Sequence, residues 1–381
     1  VLTLAAVPVL GVMVGAAPHG STAGAAATVA DLGDAALAAA TNRFGPKKTP
    51  RPTATPRPSA TATPTTPPTT PPTQPPTPPP PTNPPTNPPT QPPTQPPTAP
   101  PTTPPTCTLF PSTNVWNKDI STLPVRSDSA ALMASIGNTA ALHPDFSSLA
   151  WNNGIGYGIP FNVTNASTPK YTVTFQYAGE SDAGPYPIPA NPKIEGDTDS
   201  HLLSWDTTGC YLYELYDAHL VGGQWTAGSG AIWNLTSNAL RPAGWTSADA
   251  AGLPILPGLV RYDDIVAGVI NHALRFTAPY TAQSYIYPAR HQAGCTGSSC
   301  LAPMGLRIRL KASVNISGYP LEDQIILTAL KRYGMLLADN GSPMYLTGAP
   351  DSRWNDDNLH LLQQLHGSDF EAVDTSTLVN G

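Results

Sequence analysis

The segment His201–Asp217 reads HLLSWDTTGCYLYELYD. Two short apolar runs flank Thr207, Thr208 and Gly209, residues suited to a tight reversal. The segment is therefore expected to form a β-hairpin, with strands over 201–206 and 210–217. Charges inside runs this apolar need a reason. On a period of two, Glu214 shares a strand face with Leu212 and Tyr216, whereas Asp217 falls with Tyr213 and Leu215. His201 shares its face with Leu203 and Trp205.

Working outward, Tyr171–Tyr177 alternates cleanly and places Tyr171, Val173, Phe175 and Tyr177 on one face of a further strand. Ala231–Leu235, His272–Thr277, Ser284–Tyr287 and Gly305–Lys311 also read as strands. A helix is expected over Pro320–Tyr333, with Glu322 and Asp323 at its start, Lys331 and Arg332 at its end and Gly334 as the stop. Its expected buried stripe is Leu321, Ile325, Ala329 and Tyr333. A second helix over Asn355–His366 carries a cap at Asn355, acids at Asp356 and Asp357, and a stop at Gly367. Shorter helices are expected over Ser127–Ile136 and Asp263–Ile270. Helices and strands do not alternate as βαβ units. The expected class is α+β, mostly β: an antiparallel β-sandwich or jelly-roll-like core with a few peripheral helices.

This pattern begins only at residue 107. Of the 48 prolines in 381 residues, 27 fall between Pro50 and Thr106, mostly as Thr-x-Pro-Pro with Gln or Asn at x. Such a segment makes no backbone ladder and buries no core, so residues 50–106 read as a disordered polyproline II linker. At ~3.1 Å per residue its 57 residues reach on the order of 170 Å. Residues 1–30 open with VLTLAAVPVLGVMVGAA and contain Ala23-Gly24-Ala25, which read as a signal peptide or a membrane anchor. Residues 31–49 form a short N-terminal segment, and residues 107–381 are expected to be one globular domain. Either reading of the start puts that domain outside the cytoplasm, tethered or free. Four cysteines, Cys107, Cys210, Cys295 and Cys300, suit an oxidising compartment and allow three pairings. The short Gly/Ser loop from Cys295 to Cys300 favours a local bridge, which would leave Cys107 with Cys210.

Residues 107–381 carry 14 Lys and Arg against 23 Asp and Glu, a net of −9. This balance argues against a nucleic-acid partner. Membrane contact by the globular domain is not expected, and neither is oligomerisation. There is no nucleophile elbow, zinc-protease motif, phosphate loop or dinucleotide fingerprint. No cofactor is implied, and although a structural Ca²⁺ fits the composition, nothing indicates one.

Chemistry must therefore come from constellations. Glu214 and Asp217 point to opposite faces, so each would need a carboxylate from elsewhere, such as Asp199 or Asp263, to form the acid–base pair of a glycosidase. The competing reading is a wet sheet face. Arg307, Arg309 and Lys311 alternate with Leu306, Ile308 and Leu310, forming a cationic stripe with about 7 Å between members. The stripe is either a salt-bridge ladder against strands carrying Glu214 or Asp206, or, with Arg275 and Arg290, a face for an acidic polymer. His201, His219, His272 and His291 lie within 91 residues; structural histidines explain them best, the alternatives being a metal held by the set, which no helical i, i+4 pair supports and which is not expected, or one histidine as a base, with the Arg290-His291 pair in a loop. Asp263 and Asp264 read as helix-capping acids, and Asp339-Asn340-Gly341 as a turn. Trp205, Trp225, Trp233 and Trp245 fall within 41 residues and suit either a core or sugar stacking.

The runs Ala239–Asp263, Asn271–Phe276 and Tyr333–Gly341 resemble a group of uncharacterised secreted bacterial proteins, over roughly residues 107–375. The resemblance implies secretion and a single domain and supplies no catalytic residues. The leading expectation is a carbohydrate-active enzyme on extracellular polysaccharide or cell-surface glycan, most simply a glycoside hydrolase. Its acid and base come from Asp199, Glu214 and Asp217, with His201 or His291 assisting. Its substrate contacts come from Trp205, Tyr216, Trp225, Trp233, Arg275, Arg290, Arg307 and Arg309. A polysaccharide lyase, with the Arg/Lys stripe and His272 or His291 as base, is the near alternative. A non-catalytic glycan-binding or adhesion module is the rival from another class.

Overall fold

The computed structural model describes residues 107–149, 156–196 and 199–378. The signal segment, the segment 31–49 and the proline-rich linker lie outside the described residues. The class is α+β and mostly β, with antiparallel strand pairs outnumbering parallel ones.

A four-stranded sheet carries the hairpin. Its strands β6 (Leu202–Asp206) and β7 (Tyr211–Tyr216) pair antiparallel with Leu203 opposite Glu214 and Trp205 opposite Leu212. The reversal is held by Asp206, whose carboxylate accepts from the backbone N–H groups of Thr208 (3.0 Å) and Gly209 (2.9 Å). Strand β10 (Ser229–Asn234) flanks β7, and β2 (Phe161–Thr164) runs parallel to β6. This sheet is buried on both faces, which explains the near-continuous apolar runs of the hairpin. Leu203, Leu212 and Trp233 join the main core, whereas Leu202, Tyr213 and Leu215 join a second core with Tyr186, Ile188 and Trp225.

Small sheets close that second core. One pairs β3 (Lys170–Tyr171) with β5 (Tyr186–Pro187). The other is formed by β4 (Val173–Phe175), β9 (Gln224–Ala227) and β8 (His219–Val221). The expected strand 171–177 is thus divided between two sheets. Val173 packs inward, while Tyr171 and Tyr177 are exposed.

The six-stranded sheet runs in the order β1 (His143–Asp145), β14 (Tyr345–Thr347), β11 (Leu274–Ala278), β13 (Met335–Asn340), β12 (Arg307–Leu310), β15 (Phe370–Ala372). Its β1–β14 and β11–β13 pairs are parallel. The Leu321–Arg332 helix has the expected end charges but only part of the expected buried face. Ala329 and Tyr333 of the expected stripe are buried, but Asp323, Ile326, Leu327 and Leu330 go inward with them, while Ile325 is only partly buried and Leu321 is 74% exposed. Packing against the sheet selects the larger continuous aliphatic face. Asn355 caps its helix by accepting from Asp357 and Asn358 N–H groups, and the helix Asp356–Leu359 continues as a tighter turn to Gln364. Residues 284–287 form only a single bridge, Tyr285 to Met304. Disulfides join Cys107 to Cys210 and Cys295 to Cys300.

Candidate functional site

After β10 the chain enters an irregular stretch in which Ala248, Asp249, Ala251, Leu253, Ile255 and Leu256 are almost completely buried. A buried irregular backbone must find hydrogen-bond partners outside a ladder. Here they come from ionisable side chains on both large sheets. Glu214 on β7 is fully enclosed and accepts from the N–H groups of Ile255 (2.9 Å) and Leu256 (2.9 Å) and from the Trp233 indole (3.1 Å). His201, beside β6, meets Ala248 O through Nε2 (3.0 Å) and the Glu195 carboxylate through Nδ1 (2.6 Å). With an acceptor at both nitrogens, the ring is an imidazolium. Burial opposes that charge, but Glu195 outweighs it and raises the pKa to about 9. Arg275 on β11 grips Asp249 through two parallel bonds (3.1 and 2.7 Å) and donates to Thr347 Oγ1 (2.9 Å). The stretch turns at Gly252, whose φ of +66° and 2.5 Å gap from an added Cβ to Trp245 O admit no side chain.

The second carboxyl at Asp249 belongs to Asp339 on β13. Asp339 is half-buried, hydrogen-bonds side chain to side chain with Asp249, and accepts from the N–H groups of Asn340 (2.7 Å) and Ala250 (3.3 Å). One guanidinium cannot neutralise two adjacent carboxylates, so the pair keeps one proton. Burial, opposed by Arg275, raises the Asp249 carboxyl, and burial, then the Asp249 charge, push Asp339 up to about 7. Around it lie Tyr216, whose phenol is raised to about 12 by burial and then by Asp199, Asp217 and Asp339. The His201 ring centroid is 5.7 Å from that of Tyr216. Asp217 N–H donates to Asp199 O (2.8 Å), drawing those two residues together. His291 donates from Nδ1 to Ala250 O (2.8 Å), with Glu180 3.9 Å from its Nε2. Asp199, His201, Asp217, Tyr216, His291 and Arg275 are thus assembled at one end of the buried stretch.

Other expected site residues have different employment. Glu214 has no wet face and no carboxylate partner; its oxygens are taken by three donors, which removes it from acid–base work. Asp263 pairs with Arg353 (2.8 Å) and Asp264 with Arg261 (3.0 Å). Asp217 also pairs with the exposed His219 (2.7 Å). His272 is buried, bonds Ala273 O (2.8 Å) and stands 3.5 Å from Asp264, away from the carboxyl pair. Trp225 and Trp233 are core residues, and Trp205 packs against the main core, so none of the three is an exposed sugar platform. Arg290 donates to Arg241 O (2.9 Å).

The cationic stripe makes one cross-strand ion pair, Arg309 with Glu371, rather than a ladder against Glu214 or Asp206, and its other contacts are backbone carbonyls. Arg307 donates to the carbonyls of Tyr333, Val115 and Lys118 at 2.8–3.0 Å. Arg309 holds Glu371 (2.8 Å) and the carbonyls of Ile120 and Leu123, and Lys311 holds Ser368 O (2.7 Å). The stripe fastens the N-terminal stretch of the fold to β12.

Asp249, Asp339 and Glu195 were not anticipated. Asp339 closes an apolar run, Met335 to Ala338, a context that in hindsight marks an unusual carboxyl. Of the cavities among the described residues, two lie clear of this cluster. One runs beside Val269, Leu321 and Ile325, and the larger, about 410 Å³, lies beyond the β1 edge. Among the described residues no cluster of His, Cys, Asp or Glu is arranged to hold a metal ion, and no helix is long and apolar enough to cross a membrane. No family model, no curated protein and no solved structure matches the chain.

Proposed function

We propose that this protein is an extracellular carbohydrate-active hydrolase in which Asp339 is the proton donor. The observation that carries the reading is the Asp249–Asp339 pair: a partly buried carboxyl that burial, then the Asp249 carboxylate beside it, pushes up to about 7. A carboxyl in that state is what glycosidic oxygen protonation requires, and Asp199 or Asp217 is the carboxylate for activating water or attacking the anomeric carbon. The Pro/Thr-rich segment and the two disulfides suit a domain displayed outside the cell on a long spacer.

A second reading is a non-catalytic glycan-binding module. It is favoured by the use of His201, Glu214 and Arg275 to hold a buried segment, and by cavities lying away from the carboxyl pair. A lyase has lost its support, because the Arg307–Lys311 stripe is engaged with backbone carbonyls.

The test is reducing-end release from a panel of neutral and acidic polysaccharides, followed against pH. Hydrolysis should fall as pH rises past about 7, where Asp339 loses its proton, and Asp339→Asn should cost at least about 100-fold. Retention on one insoluble glycan with no release from any would replace the hydrolase with the binding module.

A further inference from the structure

Trp116, Trp225, Trp233 and Trp354 are buried, and Trp205 packs against the main core. Trp245 does neither: it is half-buried and follows the exposed residues Pro242, Ala243 and Gly244. The Arg241 guanidinium stands over its indole, 5.6 Å from the ring centroid. Arg241 is itself fixed, because it donates to Thr246 O (2.7 Å), to the Asp182 carboxylate and to Glu180 O (2.8 Å). The ring is therefore held in place before any ligand arrives.

Glu180 and His291 stand in the same cluster. The Glu180 side chain is 41% exposed; its Oε2 accepts from Thr246 N–H (3.1 Å), and its Oε1 meets no donor among the described residues. His291, with Nδ1 on Ala250 O (2.8 Å), presents Nε2 3.9 Å from Glu180 Oε2. That separation is too long for a direct hydrogen bond and fits one oxygen lying between the two atoms. The gap adjoins the carboxyl pair. Ala250 accepts from His291 at its C=O and donates to Asp339 from its N–H (3.3 Å), so a single residue touches both.

These groups select the ligand. A cation stacked on Trp245 would feel the Arg241 charge across the ring, and a phosphate or carboxylate would meet the Glu180 carboxylate. A neutral pyranose meets neither objection. Its C–H face covers the indole, and a hydroxyl both donates and accepts, so it bridges Glu180 and His291 in either form of the imidazole. We infer that Trp245, Glu180 and His291 form a subsite for a neutral sugar unit of the glycan, beside the Asp249–Asp339 pair. Trp245 is the platform, and Glu180 and His291 hold a ring hydroxyl. The subsite's role in positioning a chain for cleavage rests on the hydrolase reading; its binding of sugar does not.

The experiment is calorimetry on the full chain, with reducing-end release followed on the same samples. The probes are hexamers of β-linked glucose, xylose, mannose and N-acetylglucosamine, with a galacturonate hexamer and choline as charged comparators. At least one neutral hexamer should bind. Trp245→Ala should weaken it about five- to tenfold, Trp245→Tyr by about twofold or less, and Glu180→Gln about threefold. In turnover, Trp245→Ala should raise KM by its binding factor and leave kcat within about twofold. The Glu180 carboxylate is at the surface, so Glu180→Gln should melt like the parent and keeps the test decisive if Trp245→Ala does not fold. Binding that depends on Trp245 and Glu180, with no release by the parent, would end the hydrolase reading and support the subsite. Release by the parent with affinity and KM unmoved by Trp245→Ala and Glu180→Gln would keep the hydrolase and overturn the subsite. Failure of every neutral hexamer to bind, or tighter binding of galacturonate or choline, would overturn it as well.

Discussion

Among the described residues, burial pushes two carboxyls, Asp323 and Asp339, up to about 7 in different settings. Asp323, in the first turn of the Leu321–Arg332 helix, is fully enclosed and neither oxygen has a hydrogen-bond partner; burial, then neighbouring Glu322, raise it to about 7. Asp339, partly buried, reaches about the same value with two backbone donors, a second carboxylate and an arginine around it. The first is a packing anomaly, and the second is an assembled proton site. A raised pKa alone does not mark function; the groups that would use the proton do.

The largest effect that would test this contrast is at Arg275. Arg275→Ala leaves Asp249 buried without its cation, and denaturant unfolding should report a loss of about 3–5 kcal/mol. A mild loss would mean that the charges between the sheets are solvated, and the argument for a protonated Asp339 would fail with it.

The two aspartates can then be compared directly. Each has a folded pKa of about 7 against an ordinary value of 3.8, so each favours folding in its protonated form. That contribution is present below about pH 4 and is lost as pH rises to about 7. At pH 8, Asp323→Asn should raise Tm by a few degrees, at about 3 °C per kcal/mol relieved, with little change at pH 4. It should leave glycan turnover intact. Asp339→Asn should shift Tm less, because an amide still donates to Asp249, yet it should cost glycan turnover at least about 100-fold. Equal effects of the two on turnover would erase the distinction.

The smallest effect concerns His201. Its folded pKa of about 9 lies above its ordinary 6.5, so the contact with Glu195 stabilises fully below about pH 6.5 and is lost as pH rises through 9. Thermal melts of Glu195→Gln from pH 6 to 10 should show a shallower alkaline decline than the parent. A parallel decline would assign the alkaline loss elsewhere.

The hairpin was legible because both strands are short and regular and the turn residues are specific. The disulfides followed from one short loop, and the Asn355 cap from local chemistry. The roles of Arg307 and Arg309 were not legible, because they depend on backbone carbonyls of Val115 to Leu123, which have no signature in sequence. Asp249 was hidden for a related reason. It lies in a buried stretch with no period, and its partners Arg275 and Asp339 come from strands far along the chain. The stripe read over 321–333 was right at Ala329 and Tyr333 and wrong at Leu321, because the packed face also takes in Ile326, Leu327 and Leu330.

The Cys107–Cys210 bridge has a mechanical consequence. It ties the first described residue to the turn of the central hairpin, across a sequence separation of 103. A pull arriving from residue 106 and resisted at the C-terminus passes from Cys107 through the sulfurs to Cys210. The chain between them lies in a closed loop and carries no load. Strands β1 to β6 therefore cannot be peeled away in turn from the N-terminal side. Force reaches first the strand β7, which is buried on both faces, so the bridge places the point of traction at an interior strand of the four-stranded sheet.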